Sequence, residues 1–167
     1  TQNIVLGLVI LAAVAMEPRI GVGHWDAARG HYRLEFSGAS VHQVRKQLAQ
    51  GPFNMPPEAI EIVAPDVGGG FGMKGVAYPE YVLILWAARR FGRPVRWLAE
   101  RTEEFTNGAH GRANVTRARL GLDEQGNFLA LDVETLGELG AYVSAGGPGS
   151  STIAPSTAMG GLYAIPA

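Results

Sequence analysis

The amino-acid sequence predicts an α+β fold of mixed sheets and a few helices. Residues Ile60–Val63 are mostly β-branched and indicate a short buried strand. Residues 78–91 carry the signals of a helix. Apolar residues alternate with polar or small ones over residues 118–122 and 129–133, and residues 123–127 between them are typical of a hairpin loop. Strands and helices are therefore both expected within these 167 residues.

The helix predicted at residues 78–91 has recognisable start and stop signals. Pro79 suits a first helical turn, and Glu80 complements the positive end of the helix dipole. Two arginines near the other end complement its negative pole. Gly92 can adopt the left-handed conformation that ends a helix, and Pro94 prevents any continuation. We therefore expect the helix to end just before Gly92.

Further elements follow from local patterns. Residues His31–Phe36 and 94–100 are predicted strands, and Ser40 is expected to cap a short helix that runs to Gln50. Beyond Leu136 the chain is rich in Gly, Ser and Pro, which indicates loop structure.

The N-terminal segment, residues 4–16, is uninterrupted apolar sequence. A membrane span needs about 20 apolar residues, and a secretory signal needs a basic start, which Thr1–Gln2–Asn3 does not supply. A buried strand is the favoured interpretation. We therefore expect no membrane partner and a cytoplasmic location.

Composition excludes several classes. A hydrophobic content of 47% excludes wholesale disorder, and a net charge of −1 gives no sign of nucleic-acid binding. The chain has no cysteine, so it cannot form a disulfide or ligate an iron–sulfur cluster itself. A globular domain remains.

The most informative segment is residues 66–74, Asp-Val-Gly-Gly-Gly-Phe-Gly-Met-Lys, which we call the glycine loop. Four glycines in five positions leave backbone amides uncovered and free to take positive φ. Such amides can approach an anionic or strongly polarised ligand, and Phe71 is placed to shape a pocket wall. The alternative is a tight packing turn without a ligand.

The glycine loop partly matches two common motifs. A phosphate-binding P-loop needs Gly-Lys-Ser/Thr, but Lys74 lies between Met73 and Gly75. Gly70, Gly72 and Gly75 fit G-x-G-x-x-G, which leaves a nucleotide-binding (NAD or FAD) oxidoreductase domain as an alternative. This match is weak because the predicted helix begins only after the third glycine and no suitably spaced acidic residue follows.

The glycine loop resembles a motif of the molybdopterin-binding large subunits of the molybdenum hydroxylases, which include xanthine dehydrogenase, aldehyde oxidase and aerobic carbon monoxide dehydrogenase. Other blocks agree with this family in the same order, from about residue 15 to the end of the chain. They are Ala15-Met16-Glu17-Pro18-Arg19, Tyr78-Pro79-Glu80, Gly92-Arg93-Pro94-Val95-Arg96-Trp97, His110-Gly111-Arg112, Leu139-Gly140-Ala141-Tyr142 and Tyr163-Ala164-Ile165-Pro166.

The resemblance implies that residues 1–167 are one partial molybdopterin-binding domain, without internal boundary, in the cofactor-binding region of a larger subunit. The family's general base is a glutamate in a Gly-Val-Gly-Glu motif near the end of a much longer chain. Here Gly21-Val22-Gly23 precedes His24 and lies near the start. We therefore expect a fragment that contains no catalytic residue and is inactive alone.

The resemblance also implies a set of site residues. Gly69, Gly70, Phe71 and Gly72 would bind the cofactor, with the backbone of Phe71 and Gly72 near the molybdenum ligand sphere but not ligating it. Arg112 would meet a phosphate of the pterin dinucleotide; a salt bridge with Glu103 or Glu104 is an equal alternative.

The implied activity is oxidation of an aldehyde, an N-heterocycle or a similar small molecule, with water as the oxygen source. The implied cofactor is molybdenum–molybdopterin in its cytosine dinucleotide form, with [2Fe-2S] and FAD on other subunits or domains. The implied partners are the remainder of the large subunit and the subunits that carry iron–sulfur and FAD. Gly75 and Ala154 stand where purine-oxidising relatives have a glutamate and an arginine, which argues against xanthine.

The remaining candidates favour structural roles. The four histidines lack the spacing of a zinc site, and Glu17 is expected in an ion pair rather than beside the cofactor. Trp25, Trp86 and Trp97 are expected in the core. A non-catalytic interaction module is the third functional alternative, since an exposed apolar N-terminus would need a partner.

Overall fold

The computed structural model describes residues 14–109, 114–140, 142–153 and 156–166. The chain divides into two compact units: Ala12–Ala109, here the N-terminal unit, and His110–Ala167 with Thr1–Leu11, here the C-terminal unit. The expectation of one region without internal boundary stays a prediction. The strand expected within residues 4–16 lies mostly outside the described residues.

The N-terminal unit is a four-stranded sheet with three helices in its described part. The sheet order is β3-β2-β1-β4, in which β1 is antiparallel to both neighbours and β2 is parallel to β3. The elements are β1 (Ile20–Asp26), β2 (His31–Phe36), α1 (Val41–Gln50), a 3₁₀ turn (Pro57–Ala59), β3 (Ile60–Val63), α2 (Pro79–Phe91), β4 (Val95–Leu98) and α3 (Arg101–Asn107).

Helix α2 packs closely against β1 because β1 carries two glycines. A Cβ atom on Gly23 would lie 2.8 Å from the backbone oxygen of Ile84, and one on Gly21 would lie 2.8 Å from the Ile84 side chain. The Gly-Val-Gly run that is not followed by glutamate therefore has a packing role. The apolar core between helices and sheet includes Leu34, Phe36, Val44, Leu48, Ile60, Tyr81, Ile84 and Leu85.

The helix boundaries agree with the signals in the sequence. Helix α2 ends at Phe91, and Gly92 adopts φ 63°, as predicted. Helix α1 begins directly after Ser40 and ends at Gln50, but Ser40 has φ 57° and its side chain makes no capping hydrogen bond. The expected capping by the Ser40 hydroxyl is therefore wrong, although the helix boundaries are confirmed.

Besides two short helical turns, Pro57–Ala59 and Gly149–Ile153, one strand and one helix were not predicted. Strand β1 was missed because its glycines lack strand propensity; pairing with two neighbours supplies its stability. Helix α3 was missed because it is short, and it begins with a capping box in which the Glu103 carboxylate accepts a hydrogen bond from the Glu100 amide at 2.7 Å.

The C-terminal unit contains the predicted hairpin. Strands β5 (Asn114–Leu122) and β6 (Phe128–Gly137) pair antiparallel. The Asp123 carboxylate accepts hydrogen bonds from the Gln125 and Asn127 amides, and Gly126 adopts φ 85° in the turn. A short π-helical turn, Gly149–Ile153, follows in the Gly- and Ser-rich region.

The predicted α+β class with mixed sheets is confirmed by these elements. Within the described ranges, every helix is too short or too polar to cross a bilayer.

Candidate functional site

The glycine loop connects β3 to α2 and has an unusual backbone. Gly69, Phe71 and Gly72 adopt φ values of 94°, 46° and 85°. Glycine tolerates positive φ readily, but for a bulky side chain such as phenylalanine it is a strained conformation. Phe71 is also 69% exposed, so core packing does not account for it. Strain of this kind clusters at ligand-binding sites.

The centre of the glycine loop presents unused hydrogen-bond donors. The amides of Gly70, Phe71 and Gly72 donate no hydrogen bond to any residue that the structure describes. A Cβ atom added to Gly70 or Gly72 would meet no atom of the described residues within 4 Å. Open space therefore lies beside Gly70 and Gly72, whose amides can donate hydrogen bonds. This arrangement is suited to binding a negatively polarised oxygen.

A buried lysine anchors the end of the glycine loop. Lys74 has no solvent exposure, and its ammonium group donates to Glu17 Oε2 at 2.8 Å and to Ser37 Oγ at 3.3 Å. The same Glu17 oxygen accepts from the Gly68 amide at 2.6 Å. The hydrogen bond from Lys74 lowers the pKa of the Glu17 carboxyl, against the opposing effect of burial. The predicted ion pair of Glu17 is confirmed.

A tyrosine ties the loop to a second chain segment. The Tyr78 hydroxyl donates to the Met73 carbonyl oxygen at 2.6 Å and accepts from the Ala109 amide at 2.8 Å. Burial raises the pKa of Tyr78, so the hydroxyl keeps the proton that it donates. Ala109 directly precedes His110-Gly111-Arg112 in the sequence.

A buried arginine supports this tyrosine. The Arg19 guanidinium lies 3.9 Å from the centre of the Tyr78 ring, and its Nε donates to Glu104 Oε1 at 2.9 Å. Arg19 and Glu104 both have no solvent exposure. Glu104 is therefore already paired within the N-terminal unit.

The structure brings four of the five predicted site residues together on one loop: Gly69, Gly70, Phe71 and Gly72. Arg112 lies outside the described residues, so its role stays a prediction. Sequence reasoning missed the supporting roles of Arg19, Ser37 and Tyr78. Two of them lie in the blocks Met-Glu-Pro-Arg and Tyr-Pro-Glu, whose order was the available signal.

Other candidates have structural explanations. In the described ranges no group of three or more His, Asp or Glu side chains is arranged to hold a metal ion. Trp25 and Trp97 pack against the core, as expected. Trp86 is 55% exposed, so the expectation that it is a core residue is wrong. It projects from the solvent side of α2, whose opposite face is buried against the sheet.

Comparison with known families shows which family the chain belongs to. A family model described as "Molybdopterin cofactor-binding domain" matches residues 10–167. The chain belongs to this family. The resemblance to the molybdenum hydroxylases is thus confirmed for the molybdopterin-binding part.

This molybdopterin cofactor-binding domain is similar to subunits of named enzymes. It is 34% identical over 156 residues to 6-hydroxypseudooxynicotine dehydrogenase complex subunit gamma of Paenarthrobacter nicotinovorans, covering 93% of this chain and 19% of the relative. It is 30% identical over 145 residues to the carbon monoxide dehydrogenase large chain of Hydrogenophaga pseudoflava, covering 87% of this chain and 18% of the relative.

A solved structure has the same fold. Quinoline 2-oxidoreductase from Pseudomonas putida 86 superposes with a TM-score of 0.80 at 31% identity, over 92% of this chain and 20% of that chain. The molybdopterin cofactor-binding domain described here therefore spans about a fifth of the length of these relatives.

Proposed function

We propose that this domain forms the glycine-loop wall of the molybdenum cofactor site in the large subunit of a molybdenum-dependent hydroxylase. The whole enzyme would oxidise an aldehyde, an N-heterocycle or a similar small molecule with water as the oxygen source. The observation that carries the proposal is the open space beside the free amides of Gly70 and Gly72, in a chain of this family. Molybdenum–molybdopterin, when bound, supplies the redox chemistry.

The residues of this chain would bind the molybdenum cofactor and orient it. The amides of Gly70, Phe71 and Gly72 would donate to a negatively polarised oxygen of the cofactor, Gly69 would lie beside it, and the backbone of Phe71 and Gly72 would flank the molybdenum ligand sphere. Donors that are held before reaction stabilise developing negative charge without reorganisation. Arg112 would bind a phosphate of the pterin dinucleotide.

The carboxylate that binds the glycine loop is poorly suited to proton transfer. This carboxylate, Glu17, is bound to Lys74 and to the Gly68 amide, and the hydrogen bond from Lys74 lowers its pKa. A group held in this way is a weak base. We propose that the general base of the reaction lies outside this domain, as the family resemblance implies.

The names of the relatives support the substrate class. Quinoline is an N-heterocycle, and the aldehyde oxidoreductase molybdenum-binding subunit PaoC of Escherichia coli is 31% identical over 122 residues, 73% of this chain and 16% of its own. Because each substrate pocket of a protein has several walls, one loop does not select between these substrates.

The finer proposals concern cofactor form, partners and location. We propose the cytosine dinucleotide form of molybdopterin, [2Fe-2S] and FAD groups on other subunits or domains, and a cytoplasmic enzyme. The remainder of the large subunit would be a partner of this domain. Exposed apolar side chains on α2 support this, since Leu83 and Trp86 line an open groove with Tyr32 and Phe53.

The proposal is tested by Gly72→Val in the full-length enzyme, with Gly30→Val as the matched control. Both glycines have positive φ and open space, but Gly30 lies in the turn between β1 and β2. We expect Gly72→Val to lower molybdenum content or turnover at least tenfold and Gly30→Val to leave both within twofold. Unchanged molybdenum content and turnover in Gly72→Val would reject the proposal.

The nucleotide-binding alternative is not favoured by the fold. Helix α2 begins at Pro79, beyond Gly75, and β4 is not a neighbour of β3 in the sheet. A dinucleotide site places the third glycine inside the helix start and pairs consecutive parallel strands. Calorimetric titration with NAD and with FAD is expected to show no binding.

A further inference from the structure

We infer that Glu17 is a positioning residue, whose carboxylate holds the glycine loop in the backbone conformation that leaves its amides free. The inference rests on the proposed function, because it concerns the loop assigned to the cofactor. Glu17 itself lies outside the loop, 51 residues before Gly68.

One oxygen atom binds both ends of the strained segment. Glu17 Oε2 accepts from the Gly68 amide at 2.6 Å and from the Lys74 ammonium group at 2.8 Å. Residues 69–73 lie between these two attachment points and contain all three positive φ values of the loop. A strained conformation persists only where its surroundings determine it. The Glu17 carboxylate holds the segment in this strained conformation.

Lys74 fixes the orientation of the Glu17 side chain. Glu17 is about a third exposed and would otherwise be free to turn toward water, but Lys74 is fully buried. A buried ammonium group without an anion is strongly unfavourable. Apart from Ser37 Oγ, Glu17 is the only partner of the Lys74 ammonium group among the residues described. The carboxylate is therefore held against the Gly68 amide.

Packing makes the contact specific. A Cβ atom on Gly68 would lie 2.5 Å from Cβ of Glu17, closer than atoms can approach. The backbone around Glu17 is itself held, because the Arg101 guanidinium donates to the carbonyl oxygens of Ala15 and Met16 at 2.6 and 2.5 Å. The glycine loop is thus attached to a fixed segment of backbone through a contact that only glycine permits.

Two double variants of the full-length enzyme separate positioning from charge burial. Glu17→Gln/Lys74→Met and Glu17→Leu/Lys74→Met both remove the ion pair. The first keeps a side-chain oxygen that can accept from the Gly68 amide, and the second does not. Hydrogen exchange of residues 66–74, followed by mass spectrometry, reports the loop directly. Molybdenum content and the Mo(V) electron paramagnetic resonance signal report the site.

We expect the hydrogen-bonded loop amides, those of Gly68, Met73 and Lys74, to exchange at least tenfold faster in Glu17→Leu/Lys74→Met than in Glu17→Gln/Lys74→Met. We also expect molybdenum content to fall at least threefold or the Mo(V) signal to change shape only in the former. Equal loop exchange in the two variants, within twofold, would overturn the inference. If wild-type enzyme contains no molybdenum, the proposed function fails, while the exchange comparison still decides the role of Glu17.

A second pair of variants applies if the double variants do not fold. Gly68→Ala separates the loop from Glu17 without changing any charge, whereas a Cβ atom on Gly75 would make only ordinary contacts, the nearest at 3.6 Å. We expect at least tenfold faster exchange of the loop amides in Gly68→Ala than in Gly75→Ala. The same exchange in both would overturn the inference.

Discussion

The Arg19 guanidinium and the Glu104 carboxylate form an ion pair with no solvent exposure, across 85 residues of sequence. The Glu104 oxygen also accepts from the backbone amide of Arg19, at 2.9 Å. Helix α3 is therefore joined to the segment that precedes β1. Because that segment carries Glu17, the ion pair also stabilises the part of the backbone to which the glycine loop is attached.

Replacing Glu104 should therefore be costly. We expect Glu104→Gln to destabilise the N-terminal unit by about 3–5 kcal/mol, because it removes the anion that is hydrogen-bonded to the buried Arg19 and leaves Glu80, 4.0 Å away, as the nearer remaining carboxylate. Native-state hydrogen exchange of α3 and β1 amides measures this loss. Glu61→Gln is the control: Glu61 is exposed, its cation Arg33 is 3.6 Å away, and about 1 kcal/mol or less is expected. Equal losses in both variants would contradict the prediction.

Two buried tyrosines of α2 and its cap should respond differently to loss of the hydroxyl group. Tyr78→Phe removes hydrogen bonds to Met73 and Ala109, and we expect a loss of about 1–3 kcal/mol. The Tyr81 hydroxyl is buried without a hydrogen-bond partner among the described residues. Tyr81→Phe is therefore expected to leave stability unchanged or to raise it. Denaturant unfolding of both variants checks the prediction, and a larger loss in Tyr81→Phe would contradict it.

Acid should release the glycine loop. The hydrogen bond from Lys74 lowers the pKa of Glu17 below its ordinary value of 4.5. Since the folded pKa is the lower one, the stabilisation is present above pH 4.5 and disappears as the pH falls through the folded pKa. The hydrogen-bonded amides of Gly68, Met73 and Lys74, with exchange corrected for intrinsic rates, should show constant protection from pH 7 to pH 5 and loss below pH 4.5.

Glu17→Gln is the control for this pH dependence. It should abolish the loss of protection below pH 4.5 in the glycine loop, here called the acid step. Hydrogen bonds from Asn127 lower the pKa of Asp123 in the turn of the C-terminal unit. Acid loss of protection at residues 123–127 should therefore persist in Glu17→Gln. An unchanged acid step at residues 66–74 in this variant would show that another group titrates.

Close packing of α2 on β1 should not tolerate a side chain at Gly23. Gly23→Ala would place Cβ 2.8 Å from the Ile84 backbone oxygen, which cannot move without shifting the helix. We expect a loss of about 1–3 kcal/mol in denaturant unfolding. Gly121→Ala in β5 is the control, since its Cβ would make contacts of 3.6 Å or more. Comparable stability of the two variants would contradict this account.

Local signals in the sequence were sufficient for most elements. A proline and a glycine bracket α2, and apolar residues alternate in β5 and β6. These signals act on the conformation of neighbouring residues, so they can be recognised without tertiary context. Strand β1 could not be predicted in this way, because Gly21 and Gly23 are unfavourable in an isolated strand. These two glycines stabilise the fold only because they allow α2 to pack closely against β1.

The sequence by itself determined the α+β class, the position of the glycine loop between a strand and a helix, and the family. Ordered blocks of residues and the periods of helices and strands are written in the chain. Only the tertiary structure decided that one oxygen of Glu17 binds both Gly68 and Lys74, that Tyr78 joins Met73 to Ala109, and that Phe71 is strained. These contacts join residues far apart in sequence, and burial gives them their strength, so no local pattern encodes them.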